Sequence, residues 1–130
     1  MNSSISPVFS EVIELFKHND KTQIELWVNT KYDPKYAKYV FSLVAQNGMV
    51  HLFEKFIGIG SGVETKHYDS AFRLAVLANQ TEAVKKLVMM GATIVSNYFN
   101  AFHAALYFCN IDLIEFFKET ETNYRIDTTD

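Results

Sequence analysis

Between Ser70 and Ile94 the apolar positions fall into two short clusters separated by a polar pair. Phe72, Leu74, Ala75 and Leu77 or Ala78 predict a short apolar helix, and Asn79-Gln80 predicts a tight connection. Ala83, Val84, Leu87 and Val88 then recur three and four residues apart, which predicts an amphipathic helix with those side chains inward. Thr81 and Glu82 open that second helix, since a threonine at a helix start can accept a hydrogen bond from an unpaired backbone N–H. Gly91 closes it, because glycine takes the left-handed conformation past a helix end without steric cost.

The same pattern occurs on either side of this unit. A shift of 31 residues toward the N-terminus aligns Phe72 with Phe41, Leu74 with Leu43, Val84 with Phe53, Leu87 with Phe56 and Gly91 with Gly60. A shift of 30 toward the C-terminus aligns Phe72 with Phe102, Ala75 with Ala105, Ala83 with Leu113, Val84 with Ile114 and Leu87 with Phe117. Gly48, Asn79 and Cys109 fall on the same turn position, where a positive φ is expected and cysteine suits it least.

Ser70-Ala-Phe-Arg-Leu-Ala-Val, Glu82-Ala-Val-Lys-Lys-Leu-Val and Gly91-Ala-Thr together resemble the signature of the ankyrin repeat, and Asn100-Ala-Phe-His-Ala-Ala repeats its first segment. The resemblance covers roughly Val40 to Lys118 and extends more weakly to Val8. It departs from the family in lacking the Thr-Pro pair and in a shorter loop from Gly91 to Asn100. It implies an all-α solenoid of about four helix-turn-helix units with short finger loops. The units fall at about 8–30 (a degenerate cap), 39–63, 70–94 and 100–118, with 119–130 a polar tail, all in one domain spanning 1–130. In the cap, Ile13, Leu15 and Phe16 are expected on one inward face and Ile24 and Trp27 on the next. The tail is expected to fray, with Tyr124 and Ile126 folded back over the last unit. Arrays of such compact repeats resemble those of large DNA viruses and of microbes that live inside other cells.

Composition narrows the function classes. A chain of 130 residues with 48% hydrophobic and 21% charged residues suits one globular domain. A net charge of -3 gives no basic field for a phosphate backbone, so nucleic acid is not an expected partner. One cysteine, Cys109, cannot form an internal disulfide, which favours a reducing compartment, cytoplasm or nucleus. Residues Met1 to Pro7 lack the charged and apolar regions of a secretory signal. Leu87 to Ile111 carries no Asp, Glu, Lys or Arg, yet Gly91, Ser96, Asn97, Asn100, His103 and Asn110 argue for a repeat boundary and against a membrane span.

Candidate chemistry is weak at every point. Gly58-Ile-Gly-Ser-Gly62 has the glycines of a phosphate cradle, but it follows a predicted helix, Val50 to Ile57, and reads better as a cap and loop. His51 with Glu54 and His103 with Cys109 lack a third converging group, and Glu11 with Glu14 and Asp112 with Glu115 read as solvated helix faces. The family resemblance gives His103 a hydrogen-bonding role between units. No catalytic residue, metal site or cofactor is expected, and the chain does not read as an enzyme.

The aromatic positions carry the functional expectation. In ankyrin arrays partners meet the fingers and the exposed turns of the first helices. Carried over by that resemblance, the binding positions are Leu77, Ala78, Tyr107 and Phe108, with the finger residues Lys66, His67, Asn97, Tyr98 and Phe99. The expectation is a protein-protein interaction module gripping one partner protein, of a host cell if the source analogy holds, as a competitive inhibitor or adaptor. The alternative is a homo-oligomer, at simplest a homodimer, packed through exposed aromatics such as Phe116 on the end repeats.

Overall fold

The computed structural model describes residues 7–93 and 98–124, with the side chains of 98–99 and 121–124 outside that description. All regular structure among the described residues is helical. In order come α1 (Pro7–His18), α2 (Lys21–Thr30), α3 (Pro34–Gln46), a 3₁₀ segment (Val50–Phe56), α4 (Thr65–Leu77), α5 (Thr81–Met90), α6 (Tyr98–Tyr107) and α7 (Ile111–Tyr124). None is long and apolar enough to cross a membrane among the described residues.

Local chemistry accounts for the helix starts. Asp20 caps α2 by accepting the backbone N–H of Thr22 at 2.8 Å. Asp33 caps α3 by accepting that of Lys35 at 2.9 Å, with Pro34 preset for the first helical position. At α4 the Glu64 backbone N–H donates to His67 Nδ1 at 2.8 Å, and Tyr68 turns inward, so the helix begins well before Phe72. Lys66 and His67, expected in a finger loop, therefore form the first turn of α4. Tyr98 and Phe99 likewise begin α6, while Asn97 lies outside the described residues. Thr81 is the first residue of α5, and its hydroxyl accepts from Asn110 Nδ2 at 2.8 Å instead of capping the helix.

One turn is built three times. The N–H of Gly48 bonds Ala45 O and that of Met49 bonds Val44 O; Asn79 and Gln80 do the same with Val76 and Ala75, and Cys109 and Asn110 with Leu106 and Ala105. This is the Schellman arrangement, and its left-handed residue is Gly48, Asn79 or Cys109, at φ of 71°, 58° and 56°. Side chains then tie each turn to its predecessor. Asn47 Nδ2 donates to Asn19 Oδ1 at 2.8 Å, Gln80 Nε2 to the Gln46 carbonyl at 3.0 Å, and Asn110 Nδ2 to Asn79 Oδ1 at 2.8 Å. These bonds gather the C-terminal ends of α1, α3, α4 and α6 along one edge.

Helix contacts form two rows. α1, α3, α4 and α6 pack in succession, and behind them α2, the 3₁₀ segment, α5 and α7 do the same. The aligned apolar positions meet between the rows: Phe41 and Phe72, Phe53 and Val84, and Phe56, Leu87 and Phe117 are all fully buried. Each such side chain contributes about 1.5–3 kcal/mol by leaving water. In the N-terminal unit Val12 and Leu15 face inward with Ile24, Trp27 and Val28, whereas Ile13 and Phe16 are 40% and 45% exposed. The expected face of α1 is thus displaced, because Val12 and Leu15 match the α3 packing surface and Ile13 does not. At the other end α7 continues through Tyr124, with Thr120 buried and its hydroxyl bonded to the Phe116 carbonyl at 2.8 Å. The frayed tail expected from Glu119 is therefore helical to Tyr124, and residues 125–130, with Ile126, lie outside the described residues.

Candidate interaction surface

With their C-terminal ends held together, α4 and α6 lie side by side. Ala101 and Ala104 stand where larger side chains would fill the space between them, leaving an apolar groove of about 480 Å³. Phe72 and Val76 of α4 and the two alanines form its floor, while Leu77, Tyr107 and Phe108 stand at the turn end. Leu77 is 67% exposed, Tyr107 81% and Phe108 38%, and the two aromatic rings meet edge-on at 5.3 Å. Arg73, Asn100 and His103 supply the polar lining, so no carboxylate borders the groove among the described residues.

Three of the expected binding residues, Leu77, Tyr107 and Phe108, are thus brought together. The others are not. Ala78 caps α4, half-buried, with its N–H on the Leu74 carbonyl. Lys66 and His67 sit at the opposite end of α4, about 16 Å from Leu77 along the axis at 1.5 Å per residue. There Lys66 Nζ is 3.6 Å from Glu64, and His67 is half-buried with its pKa held below the usual value, first by burial and then by the charge of Lys38. Tyr98 and Phe99 lie at that same distant end on α6.

Sequence reasoning passed over Arg73 and gave His103 a different role. The signal was legible in the helical spacing, since Lys66, Ser70, Arg73 and Leu77 make one exposed stripe and His103 and Tyr107 another. His103 is exposed and has no hydrogen-bond partner among the described residues, unlike the bridging role implied for it. A second apolar groove, about 560 Å³, lies between α1 and α3 under Phe9, Ile13, Phe16 and Tyr39.

The chemistry considered elsewhere resolves into structural contacts. His51 Nε2 lies 3.1 Å from Glu25 of α2, away from any role with Glu54. Tyr32 OH donates to the Ser61 carbonyl at 2.7 Å, Ser61 N–H bonds Gly58 O, and Val63 N–H bonds Ser61 Oγ. The glycine loop therefore spends N–H groups on its own closure, and burial pushes the Tyr32 phenol up to about 12. Lys85 meets Asp112 at 2.8 Å, and that hydrogen bond raises the Lys85 pKa. Phe116, expected to be exposed, is half-buried beside Phe117 with Lys85 Nζ 5.7 Å above its ring. No group of three metal-ligating side chains gathers among the described residues.

Nothing among protein-family models, curated proteins or solved structures matches the chain.

Proposed function

We propose that the chain is a protein-binding module of the ankyrin type, a solenoid of about four units that grips a partner through the α4/α6 groove. The observation that carries this reading is the exposure of Leu77, Tyr107 and Phe108 on a rigid apolar floor. Aromatic and aliphatic side chains held in place bury large areas on binding at small entropic cost. The thrice-built turn and the two helix rows support the repeat assignment, as does the alignment of buried positions at shifts of 31 and 30. A module of this kind acts by occupancy, as inhibitor or adaptor, and needs no catalytic group. A single cysteine, which cannot form an internal disulfide, suits a reducing compartment such as cytoplasm or nucleus.

Affinity capture from cytosol with the intact chain, alongside Leu77→Ser and Tyr107→Ala/Phe108→Ala, tests it. A partner recovered by the parent chain should be lost at least about thirtyfold with either variant, the size of a hot-spot loss. Equal recovery by all three would remove the groove from consideration.

Self-association is the second reading, favoured by the α1/α3 groove with Phe9, Ile13 and Phe16 exposed. Light scattering during gel filtration decides it: a dimer dispersed by Ile13→Glu would support that reading.

A further inference from the structure

Charge is distributed unevenly along the first row, whose carboxylates Glu11 and Glu14 lie on α1. Helices α3, α4 and α6 carry Lys35, Lys38, Lys66 and Arg73 against one carboxylate, Asp69, in a chain whose net charge is -3. Asp69 is engaged, accepting the Thr93 N–H at 2.7 Å. The caps Asp33 and Glu64 sit at the far ends of α3 and α4, the first on the Lys35 N–H and the second 3.6 Å from Lys66. Arg73, by contrast, borders the groove and meets only Ser70 Oγ, at 3.4 Å, with no carboxylate within salt-bridge distance among the described residues. Lys38, on the same row, lies over the ring of Tyr39 and is likewise without a carboxylate there. The groove is therefore apolar along its floor and cationic at one side.

Backbone chemistry restricts what can lie in it. Both walls are α-helices whose N–H and C=O groups are used within the helices, so the groove offers no edge to an extended strand. An occupant must arrive with its own backbone hydrogen bonds made. Resting on the groove-binding reading above, we infer that the occupant is an acidic amphipathic helix of a partner protein: its apolar stripe lies over Val76, Leu77, Ala104 and Tyr107, and a carboxylate of that helix pairs with the Arg73 guanidinium. A guanidinium facing an apolar surface suits a planar, two-point bond to a carboxylate.

A displayed library of random peptides of about 16 residues, long enough for four helical turns, is the probe. It is selected on the intact chain and on Arg73→Glu, Leu77→Ser and Tyr107→Ser, whose altered side chains are exposed. The parent chain should enrich peptides with Leu or Phe at helical spacing and an excess of Asp and Glu. Arg73→Glu should weaken the best of these roughly tenfold, and replacing the peptide's carboxylate by Lys should restore much of that loss. Binding to the parent chain should also weaken as salt rises from about 50 to about 300 mM. Enriched peptides without acidic excess, or an Arg73→Glu effect within about twofold and no charge-swap rescue, would overturn the acidic partner while leaving the groove in place. Peptides that bind Leu77→Ser and Tyr107→Ser unchanged, or no enrichment at all, would overturn the groove itself.

Discussion

The 3₁₀ segment Val50–Phe56 and helix α5 occupy equivalent places behind α3 and α4, 31 residues apart, yet their backbones differ. In α5, Ala83, Val84 and Leu87 present a broad face of small and medium side chains, and the helix runs to Gly91, left-handed at φ 111°. In the 3₁₀ segment two phenylalanines replace Val84 and Leu87. Side chains three apart eclipse in a 3₁₀ helix, so Phe53 and Phe56 both meet the ring of Phe41, at 5.2 and 4.9 Å. Gly58, two positions ahead of the residue aligned with Gly91, removes the last turn. Apolar recurrence thus says where a second-row element lies, while side-chain volume and the nearest glycine decide its backbone form.

Replacing the rings should break this equivalence most strongly. Phe56→Ala is expected to cost about 3–5 kcal/mol, and more than Leu87→Ala, because its ring packs against both Phe41 and Tyr32. Urea unfolding of the two variants measures the difference. Next comes the glycine-rich loop that follows the 3₁₀ segment. Gly62→Ala places a Cβ against the Pro34 carbonyl at φ 87° and should cost at least about 2 kcal/mol, whereas Gly60→Ala, at φ 88° in open space, should cost about 1 kcal/mol.

The same loop is held by Tyr32. Removing its hydroxyl, as in Tyr32→Phe, should cost about 1 kcal/mol at neutral pH. Because burial raises its pKa from 10 to about 12, the phenol's contribution is complete below pH 10 and disappears as pH climbs toward 12. Urea midpoints across that range should fall in the parent chain more than in Tyr32→Phe. Smaller still is the turn built three times. Cys109 holds φ 56° where an asparagine serves the neighbouring unit, so Cys109→Asn should stabilise by about 0.5 kcal/mol, read from the same midpoints.

The smallest effect concerns the starts of α4 and α5. Gln80 precedes α5 without a side-chain cap, whereas α4 uses neutral His67 Nδ1 to accept the Glu64 N–H. A histidine whose folded pKa is depressed stabilises fully above its unfolded value of 6.5 and loses that contribution as pH falls through and below it. His67→Gln keeps an acceptor at that position, so the variant should show a shallower fall in stability between about pH 7 and 5.

Apolar spacing alone was enough to read the two-helix units, the turns at Gly48, Asn79 and Cys109, and the inward faces of α5 and α7. It did not reveal where α3, α4 and α6 begin. Those starts depend on polar residues and single rings, Asp33 with Pro34 and His67 with Tyr68, that carry no apolar period. The surface was half legible for the same reason. Leu77, Tyr107 and Phe108 follow from the repeat register, but Lys66 and His67 were assigned to a loop that proved helical and so fell far from them. Arg73 became visible as part of the groove only once α4 and α6 were side by side. Ile13 and Phe16 faced outward because the end unit has one neighbour to pack against, and nothing in the spacing of α1 says which side that is.

In each bond between consecutive turns, a side chain from the later turn reaches back to an oxygen on the earlier one. A duplicated stretch of thirty-odd residues set into this chain would meet an oxygen already waiting on one side and an amide already reaching on the other. Lengthening by duplication would thus require little new chemistry at the joints, and the variation that follows could fall on the groove-facing residues.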